Sequence, residues 1–179
     1  MNDKLHAHGQ SGGDPLSVEI QCSAYAWNDP LDPVSSNTVF VSYNLINKSG
    51  ATLDSLYIGN WVDFDIGNPF DDFVGSHPAT NSFMAYNGHN NDNLYGDPPV
   101  QSITFLNRPM DGFMFFDTTN GLSGIPQTEQ HYYNYLKGYW KDNTPITCGG
   151  NGYGGTTPCA HMYPDNPGTG GGWSECELN

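Results

Sequence analysis

Residues 55–75 read SLYIGNWVDFDIGNPFDDFVG. From Trp61 to Ile66 the side chains alternate with the period of a β-strand. Val62, Phe64 and Ile66 share one face, and Trp61, Asp63 and Asp65 share the other. Gly67, Asn68 and Pro69 break that strand, and Asp71 and Asp72 follow on the return. The stretch therefore predicts a strand with an apolar face, followed by a tight acidic loop.

Runs of the same character lie on either side. Residues 15–27, 37–47, 82–87, 100–107 and 112–119 are short, rich in Val, Ile, Phe and Tyr, and separated by Asn, Asp, Gly and Pro. Strand 37–47 has apolar residues on both faces, so its core face is either Val39, Val41 and Tyr43 or the alternates Phe40 and Ile46. A single helix is expected in residues 127–140. Thr128 is its cap, Glu129 favours the first turn, and Tyr132, Tyr135, Leu136 and Tyr139 recur at helical spacing. Six or more strands with one helix predict a mostly β fold: a jelly-roll-like β-sandwich with a long C-terminal loop region tied by disulfides. Residues 1–14 read as a flexible lead, and 15–179 as one domain.

Composition supports a folded, loop-rich β protein. The formal net charge is −14, with five Lys and Arg against nineteen Asp and Glu. Nucleic acid and anionic membrane surfaces are bound through cationic patches, so this balance argues against both. Four Trp, eleven Tyr and nine Phe set the chain apart from disordered acidic sequences. Fifteen of the acids are Asp and four are Glu, a bias toward turns and calcium loops rather than helices. No run is long enough to span a membrane as a helix, and the first fourteen residues lack the apolar centre of a signal peptide.

The cysteines are Cys22, Cys148, Cys159 and Cys176. Their spacing matches no zinc pattern, and an even count in this composition favours disulfides and an oxidising compartment. Cys148 and Cys159 bracket the glycine-rich GGNGYGGTTP, whose closure would contribute about 2–3 kcal/mol in the chain-entropy model. Cys22 would then pair with Cys176. Secreted character without a secretion signal suggests a piece excised from a longer protein.

The acidic loop raises a charge problem. Asp63, Asp65, Asp71 and Asp72 have no Lys or Arg nearer in sequence than Lys48 and Arg108. Mutual repulsion would raise their pKa values unless a cation lies among them. Ca²⁺ suits the setting, since it takes about six to eight oxygens from carboxylates, amides and backbone carbonyls. Asn60, Asn68 and the carbonyls near Gly67 would supply neutral ligands. The loop is not an EF-hand, because Val74 stands where the bidentate Glu is needed. The competing reading is a solvated turn whose aspartates cap backbone amides. A second loop, residues 86–97, offers Asn87, Asn91, Asp92, Asn93 and Asp97, either to complete this site or to form a solvated hairpin.

Other constellations are weaker. His6 and His8 sit in the lead, and His77, His89, His131 and His161 are scattered. No G-x-S-x-G motif supports a nucleophilic serine, and GGNGYGG lacks the ending of a phosphate loop. Tyr139, Trp140, Tyr153 and Trp173 belong to an aromatic-rich last third. Such rings beside amides and carboxylates suit sugar binding, although covering the core where the helix docks is the simpler use.

NTVFVSYNLINKSGATLDSLYIGNWVDFDIGNPFDDFVG, AYNG, YGDPP, HYYNYLKGYWKD, TPITCGGNGYGG and GGWSE occur here in that order. Together they resemble a block that recurs in large secreted proteins of Bacteroidetes, many of which carry a C-terminal type IX secretion sorting domain. The resemblance spans about residues 15–175 and implies export and cell-surface placement, with neighbouring domains of a parent protein as partners. It implies no catalytic role. The block often has Asp after the glycine where this chain has Ser76 and His77. The sequence thus predicts an extracellular, calcium-stabilised, non-catalytic structural or adhesive module. The alternatives are a carbohydrate-binding module using the C-terminal aromatics and a hydrolase with Asp63 or Asp65 as acid or base.

Overall fold

A computed structural model describes residues 3, 6–89, 91–92, 94–170 and 172–178. Among the described residues the protein is β-rich, with two antiparallel sheets, few helices and one disulfide. It divides into two compact units, Met1–Leu56 and Tyr57–Asn179.

In the first unit, β1 (Val18–Ala26) pairs with β2 (Val39–Asn47) in a register running from Val18 opposite Asn47 to Ala26 opposite Val39. The four-residue helix α1 (Pro33–Ser36) lies between them. Asp32 caps it, accepting hydrogen bonds from the Val34 and Ser35 amides and the Ser35 hydroxyl. These bonds, the Ser35 hydroxyl foremost, hold its carboxyl below the usual value. Of the two faces open to β2, the alternates are the more covered: Phe40 and Ile46 are half-buried, while Val39, Val41 and Tyr43 are exposed. Phe40 stacks on Tyr25 with centroids 5.6 Å apart, and Trp27 meets both rings edge-on. The lead is tied to β1, since the Asp3 amide donates to the Val18 carbonyl and its carboxylate accepts from the Leu16 amide.

In the second unit, β3 (Asp72–His77), β4 (Ser82–Asn87) and β5 (Gln101–Thr104) form an antiparallel sheet with β4 in the centre. A 3-10 turn, Pro78–Thr80, and Asn81 in the left-handed region (φ 61°) reverse the chain between β3 and β4. Helix α2 (Glu129–Leu136) forms where capping and period place it, with the Thr128 hydroxyl accepting from the His131 amide.

The core of this unit is Trp140, Ile146, Met162 and Tyr163, joined by Val74, Phe113 to Phe116, Tyr135 and Trp173. Gly152 (φ 81°) lets the backbone approach that core: a Cβ there would meet Met162 and Trp140 at 2.9 and 3.3 Å. Cys148 and Cys159 are disulfide-bonded with Cα atoms 5.4 Å apart. Cys22 and Cys176 are free thiols, so the second expected bridge is not made. Cys22 is exposed on β1 and Cys176 is half-buried in the second unit.

Two expected strands are absent. Residues 55–66 and 112–119 are irregular apart from a single bridge at Phe113 to His161. The alternation in 61–66 is nevertheless real. Ile66 is fully buried and Val62 and Phe64 half-buried, while Trp61, Asp63 and Asp65 face solvent. A period of two records which side chains are covered, and it forms a ladder only where another backbone lies alongside.

Candidate functional site

Gly67 turns the chain with φ 67°, a conformation that costs a residue with a side chain. The opening is filled from the second loop: a Cβ on Gly67 would overlap the carboxylate of Asp92. Asp92 is buried. Its Oδ2 accepts from the Asn68 amide at 3.0 Å, and its Oδ1 accepts from the Leu94 and Tyr95 amides at 2.6 and 3.0 Å. Asp92 therefore packs against the Gly67–Asn68 turn.

Asp71 and Asp72 lie beside this junction at the start of β3. Asp72 Oδ2 accepts from the Ile66 amide at 3.2 Å, and Asp71 Oδ2 lies 3.2 Å from His89 Nδ1. The Oδ1 atoms of both residues are buried and meet no hydrogen-bond donor among the described residues. Burial raises the Asp72 carboxyl above its usual value, and the charges of Asp71 and Asp92 add to this, against the Ile66 amide. Asn87, opposite Asp72 in the sheet, lies close enough to draw that carboxyl partly back down. Its Nδ2 is buried and finds no acceptor in hydrogen-bonding geometry. Asn68 uses its Oδ1 on the Phe70 amide.

The structure thus gathers Asp71, Asp72 and Asp92 with Gly67, Asn68 and Asn87. Asp63 and Asp65 stand on the solvent side of the preceding segment, where the Asp65 carbonyl accepts from Gln101 Nε2. Asn91 and Asp97 are exposed, and Asn93 lies outside the described residues. Among the described residues, no group of three or more His, Cys, Asp or Glu side chains is placed to hold a metal ion. The acidic residues fit a hard cation only in part: neighbouring Asp71 and Asp72 each have one buried oxygen without a hydrogen-bond donor, and backbone carbonyls and water would have to complete the shell.

Two further contacts pin β3, and both come from far along the sequence. Glu175 Oε2 accepts from the Val74 amide at 2.6 Å, and burial raises the Glu175 carboxyl. The buried Ser76 donates its hydroxyl to the Met162 carbonyl at 2.7 Å, and its amide donates to the Tyr163 carbonyl at 3.0 Å. Ser76 is thus packed and bonded through both its hydroxyl and its amide.

The aromatic residues of the last third are engaged with the fold in different ways. Trp140 is 1% exposed and donates from Nε1 to the Gly152 carbonyl. Trp173 is half-buried, bonds the Gly150 carbonyl and meets Tyr163 edge-on. Tyr139 carries Lys137 Nζ 4.5 Å above its ring. Tyr153 is exposed, but its hydroxyl donates to Asp142. Most of these rings are spent on packing. Three of the scattered histidines bond locally, His8 to Asp3, His77 to Thr80 and His131 to Gln127, whereas His161 reaches the Met110 carbonyl 51 residues away.

The sequence matches no family model, and comparison with curated proteins and with solved structures gives no match. No helix among the described residues is long and apolar enough to cross a membrane.

Proposed function

We propose that this protein is an extracellular, calcium-stabilised, non-catalytic module of a larger surface protein, with a structural or adhesive role among neighbouring domains. The observation that carries the calcium reading is the pair of buried, unpartnered oxygens, Asp71 Oδ1 and Asp72 Oδ1, beside the buried Asp92. No Lys or Arg occurs between Lys48 and Arg108 to compensate them. A divalent cation would neutralise this group and use oxygens that otherwise carry a desolvation cost. Asp71 and Asp72 are the proposed acidic ligands, and Asp92, whose oxygens are held by three backbone amides, adds its charge beside them. The exposed Asp63 and Asp65 are not required.

The Cys148–Cys159 disulfide supports an oxidising compartment, and the resemblance to exported Bacteroidetes proteins supports surface placement. The architecture that goes with this reading is a jelly-roll-like β-sandwich, in keeping with a β-rich chain. Thermal melting with excess calcium and then with EDTA tests the metal. Ligand binding to the folded form alone stabilises by about 2.7 kcal/mol at 100 times the dissociation constant, so chelation lowers the melting temperature. Magnesium restores it poorly, because its octahedral shell is less adaptable. Identical curves with calcium and EDTA would refute the proposal in favour of a solvated acidic turn.

A further inference from the structure

The sheet of the first unit consists of β1 and β2 alone, and a strand pair without further strands is marginal in water. Its two edges differ. The Lys48 amide donates to the Ser17 carbonyl at 2.9 Å, and the Asp3 amide reaches the Val18 carbonyl from the opposite side at 3.0 Å. In an antiparallel pair, alternate residues turn their backbone groups toward the partner and away from it. In this register Phe40, Ser42, Asn44 and Ile46 therefore bond β1, while Val39, Val41, Tyr43 and Leu45 turn theirs to the open side. Among the described residues, no backbone group outside the pair meets these four. On β1 the lead already occupies the outer edge at Val18.

The open edge of β2 has the properties that sheet edges ordinarily avoid. Residues 37–47 hold no Gly, Pro or charged side chain, and Val39, Val41, Tyr43 and Leu45 are all exposed. The edge is also complementary to itself. An antiparallel copy related by a two-fold axis through Ser42 sets Val39 against Leu45 and Val41 against Tyr43, so every outward apolar residue meets another. An axis through Tyr43 instead leaves Val39 against Asn47. Charge selects the antiparallel sense. Asp29 and Asp32 precede β2, whereas Lys48 follows it and offsets Glu19 at 3.4 Å. An antiparallel copy sets the acidic end against that offset end, where a parallel one sets acid against acid.

We propose that β2 pairs with β2 of a second copy of this chain, giving a symmetric dimer with one continuous sheet of order β1–β2–β2–β1. Nothing in this pairing depends on calcium, and melting in EDTA remains a separate readout. Sedimentation velocity of the full chain in reductant, across a concentration series, should show monomer in reversible exchange with a species of twice its mass. Val41→Pro removes an outward amide that β1 does not use, and Val41→Lys sets a charge on the edge. Each should weaken association by about tenfold or more and leave the far-ultraviolet circular dichroism spectrum unchanged. Should the proline variant lose that spectrum, the lysine variant decides. Ser42→Cys, with Cys22 and Cys176 changed to Ser, should oxidise to a disulfide dimer, because the axis sets the two residues about 4.5 Å apart at Cα, within disulfide range. Asn44→Cys in the same background should not. A monomer at every concentration, open-ended assembly in place of a dimer, a dimer indifferent to both Val41 variants, or cross-linking at 44 and not at 42 would each overturn the proposal.

Discussion

The carboxylate of Asp92 occupies the space that a side chain on Gly67 would need, and it accepts the amide of the next residue, Asn68, at 3.0 Å. This relationship joins two loops 24 residues apart and brings a third carboxylate to Asp71 and Asp72. Gly67→Ala should therefore be costly on two counts: the left-handed backbone, about 1–2 kcal/mol, and expulsion of Asp92 from its seat. Denaturant unfolding should show a loss of about 2 kcal/mol or more, together with a weakened response to calcium. Wild-type stability in the variant would mean that the two loops do not close on each other.

Asp72→Asn should behave oppositely with and without metal. The folded pKa of Asp72 is raised, so its favourable contribution exists below the unfolded value of 3.8 and is lost as pH rises through the folded value. In EDTA the variant should match wild type near pH 4 and become the more stable of the two as pH rises toward 7. With saturating calcium at pH 7 the order should reverse, because a charged ligand has been removed. Melting curves at several pH values in both buffers check this, and a difference independent of pH would contradict the burial of Asp72.

Removing the Glu175 carboxylate should loosen β3. Glu175→Ala leaves the partly buried Val74 amide without its acceptor, a cost of about 1–3 kcal/mol. Glu175→Gln keeps an acceptor and removes a carboxyl that burial already holds above its usual value, so it should recover most of the loss at neutral pH. Chemical denaturation of the two variants distinguishes the hydrogen bond from the charge.

The thiols should separate by reactivity. Iodoacetamide should label the exposed Cys22 in the native protein, the half-buried Cys176 more slowly, and Cys148 and Cys159 only after reduction. Reduction should lower stability by about 2–3 kcal/mol, as expected for a loop of this length. Native labelling of all four thiols would refute the Cys148–Cys159 bridge.

Local features were legible wherever local physics decides them. The β-branched and aromatic runs at 18–26, 39–47 and 82–87 became strands, and the Thr128 cap started helix 129–136. The glycine-rich loop between Cys148 and Cys159 closed as its spacing suggested. Strand 72–77 was hidden because Gly75, Ser76 and His77 are poor strand formers, and its other support comes from Tyr163 and Glu175. At the acidic site, the same alternation that buries Ile66 directs Asp63 and Asp65 to solvent, which leaves Asp71 and Asp72 as the buried acids. Reading face and charge together would have separated the two pairs. Nothing in local pattern could have connected Val74 to a residue 101 positions away.

That long connection also governs when the second unit can fold. The Val74 amide and the Ser76 hydroxyl acquire their partners only from residues 101 and 86 positions later. Closing such loops is entropically unfavourable and is repaid only once both ends are present. During synthesis, β3 and β4 can pair early, but they lack their packing partners until Glu175 has emerged. The second unit is then slow to commit to its final form.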